Sequence, residues 1–167
     1  VTLFRETADV SVRPAVAGDD EAMARVQVAA WRHAGILGDG VIDALDTGKM
    51  QERWAASLQS TPGPGFALFV ALDGPRIVGF AAVAPSQILS LEVEPAFQRA
   101  GHGSRLLSAA VDRLRTDGAE QVKTWVLEGD TAREDFYGSA GLGFDGTVRT
   151  LATGVREVTE RRWSAQL

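Results

Sequence analysis

The stretch with the most chemistry runs from Leu89 to Gly103: Leu-Ser-Leu-Glu-Val-Glu-Pro-Ala-Phe-Gln-Arg-Ala-Gly-His-Gly. Gly101 and Gly103 let the backbone approach a ligand closely and take positive φ. They sit where a helical pattern begins, so several N–H groups without intrahelical partners point into one concavity. Such a concavity suits a phosphate or pyrophosphate. Arg99 and Arg105 add positive charge, and no carboxylate occurs from Phe97 to Val111. Other phosphate loops fail on their own spacing. A dinucleotide fingerprint starting at Gly101 needs Gly or Ala where Leu106 stands, and Gly48-Lys49 is followed by Met50 rather than Ser or Thr. The Gly-x-Ser-x-Gly elbow is missed because Tyr137 precedes Gly138-Ser139.

Three further positions offer proton chemistry. Glu92 and Glu94 are two residues apart on one strand and share a face. Either is placed to take a proton, directly or through water, or to attract a cationic amine; the alternative is a solvated strand face. Glu92 is the better candidate, because Glu94 adjoins Pro95. Tyr137 is the only tyrosine. It is a candidate proton donor, or else a packing residue like its neighbour Phe136. Asp130 precedes a helical stretch, where it caps free N–H groups, bonds a ligand, or both. His102 contributes its backbone N–H to the glycine loop. His33, Trp31 and Trp54 read first as packed residues and second as pocket walls.

The elements that must position these groups follow from periodicity. Val10–Arg13 alternates as a strand does, and Pro14 ends it. Asp19 and Asp20 open and cap a helix that runs to Gly35. Val41–Leu45 and Thr47–Leu58 form short helices. Ser60–Gly65 is a loop. Strands Phe66–Leu72 and Arg76–Val83 form a hairpin around Asp73-Gly74-Pro75. Strand Ile88–Val93 comes next, then helix Gly103–Asp117 with Leu106, Leu107, Ala110, Val111 and Leu114 on one face. Strand Gln121–Leu127, helix Thr131–Ala140, and strands Leu142–Thr150 and Val155–Trp163 complete the chain. Ile88 to Leu127 should be a right-handed parallel crossover. The result is a mixed α/β (α+β) domain: a central, mostly antiparallel sheet of six to seven strands flanked by helices.

Composition sets the outer bounds. The chain has 167 residues, 17 Lys plus Arg against 22 acids, and a formal net charge of −5. One domain over 1–167 is expected, with 1–9 as an N-terminal extension. The acidic balance argues against a nucleic-acid partner. Cysteine is absent, so no disulfide or thiol nucleophile forms, and two histidines are too few for an ordinary zinc centre. No metal is expected. No apolar run is long enough for a membrane helix and no signal core opens the chain, so a cytoplasmic protein with no membrane partner is expected.

Gln98-Arg99-Ala100-Gly101-His102-Gly103 resembles the Gln/Arg-x-x-Gly-x-Gly/Ala acyl-CoA loop of the GCN5-related N-acetyltransferases. Leu91-Glu92-Val93-Glu94-Pro95 resembles that family's fourth strand. Asp130–Phe144 resembles its second signature, with Asp130 for the usual Asn and Gly141-Leu142-Gly143-Phe144 for a shorter Gly-Phe ending. The resemblance implies direct acetyl transfer from acetyl-CoA, the cosubstrate, to an amine, with no enzyme nucleophile. It implies Tyr137 as general acid toward the CoA thiolate and Glu92 as a catalytic candidate. It places Leu91, Val93, Gln98, Arg99, Ala100, Gly101, His102, Gly103, Ser104 and Asp130 on the cofactor. Leu91 and Val93 would act through the backbone, and the Val93 N–H could reach the thioester oxygen. Some peptide N-terminal acetyltransferases of the family carry a catalytic Glu where this chain has Trp125. The acceptor would sit between the first two helices and the last strands. Residues 16–60 hold seven acids against four bases, which favours a cationic small-molecule or peptide amine. A homodimer through the last strands fits the family. The alternatives are a non-catalytic acyl-CoA-binding or sensing module with the same fold, and an interaction subunit without the cofactor site.

Overall fold

The computed structural model describes residues 10–167; the expected extension 1–9 lies outside the described residues. The strands are β1 (Val10–Pro14), β2 (Ala67–Asp73), β3 (Arg76–Ala84), β4 (Gln87–Val93), β5 (Gln121–Leu127), β6 (Gly143–Ala152) and β7 (Glu157–Gln166). The helices are α1 (Asp20–Ala34), α2 (Asp39–Asp43), α3 (Thr47–Gln59), α4 (His102–Thr116) and α5 (Thr131–Ser139), with a 3-10 turn at Pro95–Phe97. The strands form one seven-stranded sheet in the order β1-β2-β3-β4-β5-β7-β6. The expected mixed, mostly antiparallel sheet is present, and the one parallel pair is β4 with β5.

Two tight turns build the first half. Asp73 faces Arg76 across Gly74-Pro75, and Ala84 faces Gln87 across Pro85-Ser86. Proline presets the backbone of the second turn, and Ser86 takes φ 60°, a left-handed value rare for a residue with a Cβ. The terminal hairpin is displaced from its expected ends. Its second strand begins at Glu157 rather than Val155 and runs three residues past Trp163. Thr153 ends the first strand by accepting Arg156 N–H and donating to Arg156 O, a local bond that competes with the ladder.

Helices cover both faces. On one face Met23 and Val26 of α1 and Trp54 of α3 pack on Val70 and Phe80. On the other, Leu106, Leu107, Ala110 and Leu114 of α4 pack on Ala71, Ala81, Val83 and Leu91. Tyr137 of α5 joins this second layer beside Val122 and Val126. A third cluster joins Leu37, Val41 and Ile42 to Val158 of β7. It ties the α1–α2 region to the last hairpin.

The sheet is split at its centre. β4 and β5 pair only at Gln87–Lys123 and Ile88–Thr124. Leu89 is an extra residue where the β3–β4 register shifts, just where the two strands part. A bulge bends and twists its strand, so this residue re-aims β4 away from β5. On the β5 side, Ser90 to Val93 then border a gap, while their other edge stays paired with β3.

Candidate functional site

Three elements border the gap. β4 supplies one wall. Glu94 N–H donates to Val78 O at 2.7 Å, so Glu94 and Glu92 turn their backbone groups toward β3. Antiparallel alternation turns those of Leu91 and Val93 the other way, into the gap. The Val93 carbonyl accepts Gln98 Nε2 at 3.1 Å. The Leu91 carbonyl accepts Arg133 Nη1 at 2.7 Å.

The glycine loop forms the second border. Arg99 takes φ 62° and Gly101 φ 89°, and α4 starts immediately after. The first helical bond runs from Arg105 N–H to Gly101 O. The N–H groups of His102, Gly103 and Ser104 therefore stay free of intrahelical partners. At Gly101 a Cβ would lie 2.5 Å from Arg105 Nη1, on top of positive left-handed φ. The positive φ favours glycine there, and the missing side chain lets the flexible Arg105 guanidinium lie against the loop. At Gly103 a Cβ would touch the Phe136 ring at 3.4 Å and Val93 Cγ2 at 3.8 Å. Loop, strand and α5 thus meet at that one residue. Free donors, two arginines and no carboxylate fit an anionic diphosphate.

His102 is not part of this cradle through its side chain. The imidazole is buried in the layer below, with Nδ1 lacking a partner, and burial pushes its pKa down. Gln98, Arg99 and Ala100 are exposed on the loop, and Ser104 is exposed in the first turn of α4.

The third border is α5. Asp130 caps it, accepting Arg133 N–H at 3.1 Å. Tyr137 is 1% exposed beneath the gap. Burial raises its pKa above the ordinary phenol value of 10.0, while the Arg133 charge and hydrogen bonding to Thr124 pull it back. Thr124 itself donates to Ile88 O at 3.1 Å, across the last paired rung.

Glu92 is 5% exposed. It faces Phe80 across β3 and so points toward α1, on the opposite face from Tyr137. Its Oε2 accepts Arg133 Nη2 at 2.6 Å and its Oε1 accepts Trp31 Nε1 at 3.1 Å. Arg133 also approaches Asp130 at 3.5 Å. Burial works against its charge, but Glu92, then Tyr137 and Asp130, leave its pKa raised. Sequence reasoning missed Arg133. The available signal was its spacing, four residues before Tyr137, which puts both on one helix face. Glu94 pairs with Arg76 at 2.6 Å and stays outside the gap.

The remaining aromatic positions separate. Trp31 reaches the site through Glu92. Trp54 packs edge-on against Phe80, centroids 5.1 Å apart, and belongs to the α3 layer. His33 is exposed, which corrects its reading as a packed residue: it lies in the last turn of α1, beyond the face that meets the sheet. Trp125 carries the Arg149 guanidinium 4.1 Å from its ring centre. Arg156 donates to the carbonyls of Ile36 and Leu37, joining the α1–α2 loop to the last hairpin.

Residues 39–144 match the model of the Acetyltransferase (GNAT) family. That is more than half of the chain, and the chain belongs to this family. Among solved structures it is similar to the PaiA N-acetyltransferase of Thermoplasma acidophilum in complex with coenzyme A. That match has TM-score 0.79 and 17% identity over 95% of this chain and 99% of that one. It is similar to YncA, a structure from Salmonella typhimurium with its cofactor acetyl-CoA: TM-score 0.67, 18% identity, covering 95% and 94%. It also resembles the ribosomal-protein-S18-alanine N-acetyltransferase of Escherichia coli: TM-score 0.68, 18% identity, covering 94% and 93%. At such identities the likeness is one of fold. No curated protein matches the sequence. Among the described residues no helix is long and apolar enough to cross a membrane.

Proposed function

We propose that this chain transfers the acetyl group of acetyl-CoA to an amine. One observation carries the reading: the anion cradle of the glycine loop and the buried Tyr137 phenol border the same gap, joined through Gly103, Val93 and Phe136. A cosubstrate held by its diphosphate at the loop would run along Val93 toward Tyr137. The neutral amine attacks the thioester carbonyl, the C–N bond forms and the C–S bond breaks. The departing sulfur takes the Tyr137 proton.

Glu92 is the candidate base on the acceptor side. Each of its oxygens keeps a lone pair beyond those used by Trp31 and Arg133, open to the amine proton directly or through water. The acceptor is a cationic amine, small molecule or peptide, entering where α1, α2 and the β6–β7 hairpin meet. Supporting this, Glu92 and Asp130 together outweigh the single positive charge of Arg133.

The test is a panel of amines assayed for released CoA, alongside thermal unfolding with acetyl-CoA. Turnover with one amine class and a raised melting temperature support the reading. A raised melting temperature with no turnover on any amine points to the sensing module instead. No change at millimolar acetyl-CoA refutes the cosubstrate.

A further inference from the structure

We infer that Arg133 is a positioning residue for Tyr137: threaded through the gap between β4 and β5, its guanidinium orients the phenol and holds a positive charge beside the oxygen that gives up the proton. The inference rests on the acetyl-transfer reading above.

The geometry is specific. Tyr137 lies with α4 on one face of the sheet, and Glu92 lies with α1 on the other. A continuous sheet would separate them. Because β4 and β5 part after Ile88 and Thr124, the Arg133 side chain crosses between them. It binds the Leu91 carbonyl and Glu92 with separate nitrogens, while Asp130 faces its Nε. A planar fork held at three points has little freedom to swing, which a lysine would not reproduce. Trp31 fixes the far end by donating to Glu92. Hydrogen bonds thus run from Trp31 on the acceptor-side helix through Glu92 to Arg133, which shares a helix face with Tyr137 four residues on.

The chemistry needs such a charge. In solution, proton transfer from a phenol of pKa about 10 to a thiolate of about 8.5 is already uphill by about 2 kcal/mol. Burial makes Tyr137 a weaker acid still. When its proton leaves for sulfur, a tyrosinate remains in a site that excludes water, and a fixed cation stabilises it. The charged groups acting on Tyr137 are Arg133 on its own helix and Glu92 on β4, and Asp130 acts on Arg133. β5 offers the Thr124 hydroxyl, and α4 offers the apolar Leu106, Leu107 and Ala110. Arg133 is the one cation among them.

Tyr137 is the sole tyrosine, so tyrosinate absorbance, or a single ring-labelled tyrosine resonance, reports it alone. Titration of the full chain is compared in wild type, Arg133→Lys, Arg133→Met and Glu92→Gln, with circular dichroism confirming the fold at each pH. Arg133→Met should move the ionisation to higher pH and Glu92→Gln to lower pH. Arg133→Lys, which folds with its charge retained, should fall between wild type and Arg133→Met. With an accepted amine, Arg133→Met and Arg133→Lys should lower kcat in step with the displaced ionisation, about tenfold where the midpoint rises by about one on the pH scale. The KM for acetyl-CoA should change far less. Identical titration curves overturn the inference whatever the acyl-CoA results. Displaced curves with wild-type kcat overturn the catalytic role of the charge. Failure of the wild type to bind acetyl-CoA overturns the acetyl-transfer reading, and the catalytic role falls with it.

Discussion

Tyr137 combines two properties that sequence could not join. By resemblance, its place after Asp130 and before Leu142-Gly143-Phe144 makes it the candidate proton donor, while its 1% exposure makes it a core side chain. The two readings are compatible, because the core here ends at a gap. Tyr137→Phe keeps the packing and removes the proton. Turnover should fall about 100-fold, the low end of what a general acid contributes, with acetyl-CoA affinity held within about threefold on the same grounds. Steady-state kinetics and calorimetric binding check both halves; full activity in the variant removes Tyr137 from the mechanism. Glu92 shows the opposite lesson. Its alternation marked a strand face, but its burial against Trp31 and Arg133 is a tertiary fact, since its partners lie 61 and 41 residues away.

At the scale of elements, the glycine loop was the most legible part. Its backbone needs are local, so Gly101, Gly103 and the helix start were readable directly. Gly101→Glu places a Cβ at left-handed φ, against Arg105, and a carboxylate in the cradle. Acetyl-CoA affinity should drop by more than about tenfold, because one like charge and about 1 kcal/mol of backbone strain act together. Isothermal titration measures it, and unchanged affinity would falsify the loop assignment. The entry to α1 was read less well. Asp19 was expected to cap the helix, yet its side chain caps no helical N–H. It accepts Arg13 at 2.7 Å and Val16 N–H at 2.8 Å, tying β1 to α1. Burial opposes its charge, but those bonds win and hold its pKa below 3.8. The stabilisation is therefore present above the unfolded carboxylate value and lost as pH falls through the lower folded one. Asp19→Asn should cost about 1 kcal/mol at pH 7, and less below about pH 4, read by urea unfolding across pH. An equal cost at pH 7 and pH 3 would contradict this assignment.

For the whole molecule, a ligand bound only to the folded state adds stability by mass action. Acetyl-CoA at 100 times its dissociation constant adds about 2.7 kcal/mol, which for a chain of this size is about 5–10 °C in melting temperature. Differential scanning calorimetry should show a rise that grows with the logarithm of acetyl-CoA. A concentration-independent melting point would rule out specific binding. Global charge is a poor guide to local charge. The net −5 of the chain coexists with a segment from Phe97 to Val111, loop and first part of α4, that carries two arginines and no acid.

Sequence alone determined the elements and their order, the glycine loop and the place of the candidate acid. These depend on periodicity, turn residues and short spacings, all encoded within a few residues. Even the parallel crossover followed, since strand–helix–strand connections have one favoured hand. Only the tertiary structure decided where the sheet splits. A single bulge residue, Leu89, re-aims β4, and periodicity carries no mark of a two-rung pairing. Arg133 follows from that split: a charged residue on a short helix becomes a strut through the sheet only once two strands diverge to admit it.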